Sequence, residues 1–257
     1  MRILMIGDVV GSPGRTILAR ELPNLKAKYG VHATIVNAEN CMHGSGLTAE
    51  YAKLVFDAGA DAITLGDHTW GQRDFAAQID SLDRVVRPVN YAPECPGKGW
   101  CLVTMPTFRF IVANVQGRVF MQPVDCPFKG LDRALAEMPK DVPVFVDFHA
   151  EATSEKVTFA HYFDGRVSAV VGTHTHVQTS DARILPKGTA FITDLGMTGP
   201  YISSIGRDLQ PVTRKFLTGM PGRFEVADGP CVIEGAVIEF DPKTKVAQDI
   251  FPVRIRE

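Results

Sequence analysis

Short apolar runs alternate with helical stretches through the first third of the chain. "RILMIGD" predicts a buried strand, an unbroken run of branched and long apolar residues closed by Asp8. "SPGRTILARELPNLKAKYG" predicts a helix, with Ser12 at its N-cap, Pro13 at its first position and Gly30 closing it. Pro23 falls inside that stretch and predicts a kink or a break. "ATIVNAEN" reads as the second strand, "TAEYAKLVFDAGA" as a helix and "DAITLGDH" as the third strand. Strand, helix, strand, helix, strand is the order of a parallel sheet with helical crossovers.

The middle of the chain is patterned differently. "GWCLVTM" and "FRFIVANVQG" are separated only by a Pro-Thr turn, which predicts an antiparallel pair. A short helix around "KGLDRALAEM", a strand in "VPVFVDFHAE" and a helix over "TSEKVTFAHYF" follow, then strands in "VSAVVGTHTH" and "TAFITDLGM". From about Gly199 to Pro230 the chain is rich in Gly and Pro and weakly periodic, which predicts a long surface excursion. "CVIEGAVIEF" and "VAQDIFPVRI" predict a closing hairpin around "DPKTK". No repeat or linker interrupts the pattern, so the expectation is one domain over residues 1–257, a mixed α/β sandwich with a parallel core and antiparallel additions.

Composition narrows the function classes. At 257 residues, 45% hydrophobic and 22% charged, the chain has the make-up of a soluble globular protein. A formal charge of -2 gives no broad basic field, which argues against duplex nucleic acid as a partner. Five cysteines without a CxxC pair fit neither a disulfide framework nor a zinc ribbon, and suit a reducing cytosol. The opening "MRILMIGDVVG" is too short an apolar run for a signal, and no stretch approaches the ~18 apolar residues of a membrane span. The expectation is a soluble cytoplasmic protein with no membrane partner.

The chemistry-bearing residues fall in one kind of place. Asp8 follows the first strand, Glu39 and Asn40 the second, Asp67 and His68 the third. His149 follows "VFVDF", while His174 and His176 end the next strand, two residues apart and so on one face of an extended chain. Ligands bind in the crevice beyond the carboxyl ends of parallel strands, where all of these meet. Any one of them alone is more simply a cap, a turn residue or a satisfied histidine. Three carboxylates, an amide and three histidines exceed the roughly four ligands of a single zinc ion. They suit two metals about 3.5–4 Å apart that share a carboxylate, and O and N donors without thiolate favour Mn, Fe or Zn.

"GDVVG", "NAEN", "GDHTW", "DFHAE" and "GTHTH" resemble, in that order, the motifs of the calcineurin-like metallophosphoesterases, and most nearly those of the bacterial YmdB-type phosphodiesterases. The resemblance implies a four-layer α/β/β/α sandwich with mixed sheets and a dinuclear site, usually iron or manganese, divalent or mixed-valence. It further implies hydrolysis of small phosphodiesters, 2',3'-cyclic nucleotides included, and a homo-oligomer. Carried over by position, Asp8, Asn40 and His176 hold one metal, Asp67, His149 and His174 the other, and Glu39 bridges. His68 becomes the proton donor to the leaving oxygen, a role an imidazole fills near neutral pH.

The chain departs from the wider pattern in two ways. Val10 stands where an Asp-x-His motif has histidine, and Glu39 with Asn40 replaces a commoner Asp-containing pair. Asp67 stands where the family's "GNH" has asparagine, which is expected to tighten metal binding, or favour a ferric ion, while weakening the pull on an anionic substrate.

Other features carry less. "GSPGR" opens a helix beside Asp8, a place that binds phosphate or simply starts the helix; it lacks the P-loop spacing. Cys41, Met42 and His43 follow Asn40 at the rim, with packing the simpler account of Cys41. No HExxH or GxSxG occurs. A phosphomonoesterase using the same site, and a non-catalytic signalling or RNA-associated binding module, both stay open at this point.

Overall fold

Successive residues of the first strand go to opposite sides of a sheet, and both sides are apolar. The computed structural model describes residues 1–257. In β1 (Arg2–Ile6), Ile3 and Met5 enter one apolar layer while Leu4 and Ile6 enter another, as the two-residue period of a strand requires. Parallel to β1 runs β3 (Ala33–Asn37), then β4 (Ala62–Thr64) and β5 (Val85–Val86). On its other side β1 pairs antiparallel with β13 (Cys231–Phe240), which also carries β14 (Ala247–Arg256) and β12 (Met197–Pro200); β2 (Asp8–Val9) lies at the edge on β12.

The second sheet has the order β10 (Arg183–Ile184), β11 (Ala190–Ile192), β9 (Ala169–Thr173), β8 (Val144–His149), β7 (Arg109–Gln116), β6 (Trp100–Thr104). Its four inner strands are parallel and the two outer ones antiparallel. Between the sheets, Ile3, Met5 and Ile35 pack with Phe110, Val112 and Phe145. Helices α1 (Gly11–Tyr29) and α2 (Ala49–Asp57) cover the first sheet through Ile17, Leu18, Leu22 and Val55. Helices α3 (Pro127–Glu137) and α4 (Thr153–Tyr162) cover the second through Leu131, Ala134 and Phe159. The architecture is the four-layer α/β/β/α sandwich.

Three expectations need correction. Ser12 does not cap α1: the helix starts at Gly11 (φ 60°), and the Gly11 N–H donates to the Asn40 carbonyl at 2.9 Å instead. That same helix runs unbroken through Pro23, because Pro23 and Ala19 face solvent, where water can take the carbonyl the ring frees. Residues 199–230 are not irregular throughout. They carry α5 (Leu209–Thr218), capped by the Asp208 carboxylate on the Gln210 N–H and closed by left-handed Gly219, with none of its residues buried. The two antiparallel hairpins stand where the pattern placed them. No helix is long and apolar enough to cross a membrane.

Candidate metal centre

The layer between the sheets changes character at the carboxyl ends of the strands. Ile35, Ala62, Phe145 and Val171 are apolar members of that layer. Two residues further along the same strands, on the same faces, stand Asn37, Thr64, Asp147 and Thr173. Asp147 accepts hydrogen bonds from Thr64 Oγ1 (2.5 Å), Asn37 Nδ2 (2.9 Å) and Thr173 Oγ1 (2.6 Å), all buried. This network forms the floor of the site.

Above it the strand ends deliver all eight candidate residues to one place. Asp8 arrives on β2, Glu39 and Asn40 after β3, Asp67 and His68 after β4, His149 as the last residue of β8. His174 and His176 also arrive, but not as strand neighbours. β9 ends at Thr173, and both histidines take left-handed backbone (φ 98° and 63°). Non-glycine residues there carry strain on the order of 1 kcal/mol or more. Backbone bonds hold the turn: His174 N–H to Asp8 Oδ2 (3.2 Å) and Thr175 N–H to Asp194 Oδ2 (3.1 Å).

The ligand atoms of Glu39, Asp67, His149 and His174 all lie within 4.8 Å of one another. His149 Nε2 alone faces Asp67 Oδ1 (2.9 Å), His174 Nδ1 (3.0 Å) and Glu39 Oε1 (3.2 Å). One ring nitrogen has at most one hydrogen to share, so the remaining lone pairs point at each other. On the other side of Glu39, its Oε1 meets Asn40 Nδ2 (2.9 Å), which meets His176 Nε2 (3.2 Å). Asp8 Oδ1, 3.8 Å from His176 Nε2, is fully buried with no hydrogen-bond partner. Converging acceptors short of hydrogens, and a buried carboxylate oxygen left alone, are what cations satisfy. The donor set therefore fits a metal ion at Glu39, Asp67, His149 and His174, and the orphaned Asp8 oxygen marks a second lobe across Glu39.

Each histidine is held by its far nitrogen. His176 Nδ1–H donates to the Ile205 carbonyl (2.9 Å), which leaves Nε2 bare towards the site. His149 Nδ1 is 2.9 Å from Thr173 Oγ1, and so tied to Asp147; His174 Nε2 is 3.2 Å from Glu151 Oε2. Such partners fix tautomer and ring orientation in metal sites. Thr173, Asp147 and Glu151 were not singled out from the sequence, although a carboxylate inside the apolar run "VFVDF" was a usable signal.

Charge follows from this packing. Burial pushes Asp8 up to about 7, against the pull of His149. Burial opposes ionisation of Glu39 and Asp67 too, but His149 beside both holds them well below the carboxylate range. In return, against its own burial, His149 is raised well above 6.5 by Glu39 and Asp67. Burial lowers His176, which keeps its ring neutral, the ligating form. His68, 40% exposed, is raised by its bond to Glu39 Oε1 (3.3 Å) and also lies 3.0 Å from Asn40 Oδ1.

A family model described as YmdB-like protein matches residues 4–253. The chain belongs to the YmdB-like family. It is 50% identical over 258 aligned residues to the 2',3'-cyclic-nucleotide 2'-phosphodiesterase of Bacillus subtilis (strain 168), covering 100% of this chain and 98% of that one. A hypothetical protein from Thermus thermophilus superposes with a TM-score of 0.94 at 42% identity, over 100% of both chains. A novel phosphatase from Mycoplasma pneumoniae gives 0.94 at 38% identity, over 100% of this chain and 93% of that one.

The lesser sequence features settle on the structural side. In "GSPGR", Gly14 lets α1 approach the Thr198 carbonyl, which an added Cβ would strike, and Arg15 donates to the Cys41 carbonyl. Cys41 is buried, its thiol pushed up to about 12 by desolvation, as packing predicts. His43 is exposed and takes no part in the cluster; its carbonyl accepts from Arg207 (3.0 Å). All five cysteines are free.

Proposed function

We propose that this chain is a metal-dependent phosphodiesterase that hydrolyses small cyclic nucleotides, 2',3'-cyclic nucleotides first among them. The observation that carries the reading is the convergence of Glu39, Asp67, His149 and His174 within 4.8 Å, continued across Glu39 to the orphaned Asp8 carboxylate. The Bacillus subtilis relative supplies the substrate class. Asp8, Asn40 and His176 would hold one ion, Asp67, His149 and His174 the other, with Glu39 shared by the two sets. Iron or manganese suits this donor set best, and zinc fits it. Two ions held by these residues would polarise the phosphoryl oxygens and lower the pKa of a water enough for it to serve as nucleophile.

The chain's own residues do the rest. Thr173 with Asp147, Glu151 and the Ile205 carbonyl keep the ligating nitrogens turned inward. His68 gives the proton to the leaving oxygen: Nδ1 is held at Asn40 Oδ1 (3.0 Å), and its Nε2 lies 4.0 Å from Asp67 Oδ2 on the open side of the site. A net charge of -2 leaves small diesters, not duplex nucleic acid, as substrates. Five unbonded cysteines fit a cytoplasmic protein.

Adenosine 2',3'-cyclic phosphate and adenosine 3'-monophosphate, given separately to the metal-loaded enzyme, test this. The cyclic diester is consumed and monophosphate accumulates; release of inorganic phosphate at a comparable rate would instead make the protein a phosphomonoesterase. His68→Ala lowers kcat on the diester by about 10²–10⁴-fold with its metal content intact. Binding without turnover in the wild type would leave a binding module.

Asp67 gives a second prediction. Its Oδ1 meets both His149 Nε2 (2.9 Å) and His174 Nδ1 (3.3 Å), so Asp67→Asn removes an anionic donor from the tightest part of the cluster. Metal affinity, measured by competition with a chromogenic chelator, falls by about tenfold or more, and KM for the diester falls with it. Both constants unchanged would show that the charge at this position is idle.

A further inference from the structure

A second cleft opens directly beside the cluster, and Asp67 lines both. It has a volume of about 560 Å³, and its lining includes Trp70, Tyr91, Gln116, Gln122 and Asp125. We propose that this cleft binds the base of the nucleotide whose phosphate lies at the metal cluster. The inference rests on the phosphodiesterase reading and names the part of the substrate that reading leaves open.

The aromatic wall is built into the turn that carries Asp67. Thr69 donates both its N–H (3.1 Å) and its Oγ1 hydrogen (2.6 Å) to the Gly66 carbonyl, and Gly71 N–H donates to the His68 carbonyl (2.8 Å). Trp70, half-buried at the next position, rests on the apolar core under the first sheet. Its ring meets Tyr91 with centroids 6.3 Å apart and planes at 40°. No third ring fits between them, so a base stacks against this wall and is not sandwiched.

The rest of the cleft is braced from behind. Tyr91 Oη lies 2.7 Å from Gln116 Oε1 and 3.0 Å from the Gly66 carbonyl. Asn90 is used up as a brace: Nδ2 donates to the Gln116 (2.8 Å) and Asp125 (2.9 Å) carbonyls, and Oδ1 accepts the Gln116 N–H (3.0 Å). Gln116 is fully buried, its Nε2 3.5 Å from the Gln122 carbonyl, while Gln122 lines the cleft from an exposed position. Amides donate and accept, as the edge of a nucleobase does.

Charge decides against a second phosphate. The lining includes the carboxylates Asp67 and Asp125 and no lysine or arginine. A flat, neutral group with a hydrogen-bonding edge fits these walls. Because Asp67 belongs to both the cleft and the cluster, a group held in the cleft adjoins a phosphate held at the cluster, as the base of a nucleoside cyclic phosphate would.

The test compares two cyclic diesters on the metal-loaded enzyme: adenosine 2',3'-cyclic phosphate, and glycerol 1,2-cyclic phosphate, which has the same ring and no base. Stacking on one aromatic side chain accounts for roughly a ten- to hundredfold effect. Trp70→Ala lowers the ratio of kcat/KM for the adenosine over the glycerol substrate by that factor, mainly through KM, and Trp70→Phe restores most of it. Gln122→Ala, at an exposed position, lowers the same ratio about threefold or more. Ratios unchanged in folded Trp70→Ala or in Gln122→Ala overturn the proposal. Adenosine alone, titrated into a Trp100→Phe variant whose remaining indole is Trp70, quenches fluorescence saturably; absence of quenching also overturns it. Failure of the wild type to hydrolyse either diester would instead defeat the phosphodiesterase reading, while the adenosine titration still reports on the cleft.

Discussion

Glu39→Gln abolishes turnover on the order of a thousandfold or more and lowers the bound metal below two per chain. The expectation comes from where one side chain reaches. Glu39 is almost fully buried, and its Oε1 lies 3.2 Å from His149 Nε2 on one side and 2.9 Å from Asn40 Nδ2 on the other. Its Oε2 accepts the His68 N–H at 3.1 Å, so the same carboxylate also positions His68, the proposed proton donor. An amide keeps the shape but removes the negative charge and replaces one of the two ligating oxygens by a nitrogen that carries hydrogens. Metal content by elemental analysis, beside kcat on a cyclic diester, checks it. The contrast with His68→Ala is the diagnostic part, since that variant loses turnover and keeps its metals. Full metal content and activity in Glu39→Gln would remove Glu39 from the join between the lobes.

Lys156→Met costs about 3–5 kcal/mol of stability, the usual loss when one partner of a buried ion pair is removed and the other stays. Lys156 on α4 is buried, with Nζ 2.7 Å from Asp194 Oδ2 and 2.8 Å from the Thr173 carbonyl. Asp194 also accepts the N–H groups of Thr175 (3.1 Å) and Gly196 (2.9 Å). The pair therefore clamps the left-handed turn that presents His174 and His176. Removing the ammonium strands a buried carboxylate and frees the carbonyl at the base of the turn. Urea unfolding of both proteins gives the stability difference, with metal affinity falling in parallel. A loss under about 1 kcal/mol would mean that water or a shifted side chain replaces the ammonium.

The strand ends were the legible part of this molecule. Unbroken apolar runs gave away β1, β3, β8 and β9, and each led directly to a candidate residue: Asp8, Glu39, His149, His174. That logic needs only local pattern and the rule that parallel strands end on one edge. The wrong step was local too: His174 and His176 meet the site through left-handed backbone, which alternation along a strand does not produce. What stayed hidden depends on approach between distant segments. Nothing near Lys156 marks it as the buried lysine of α4, and its partner lies 38 residues away. Trp70 and Tyr91 become neighbours only because the loop after β5 folds back over the Asp67 turn. Asp147 and Asp194 also went unread, although carboxylates isolated among the apolar residues of "VFVDF" and "FITDLG" are a usable signal of buried partners.

The central claim is that two ions in this cluster are required for diester hydrolysis. Chelator-stripped protein, titrated separately with Mn(II), Fe(II), Zn(II) and Mg(II), tests it with adenosine 2',3'-cyclic phosphate as substrate. The account predicts no activity in the stripped protein, recovery that saturates at about two ions per chain, and Mn or Fe as the most effective. Undiminished hydrolysis by stripped protein, or stoichiometric binding of every metal with no hydrolysis, would contradict it.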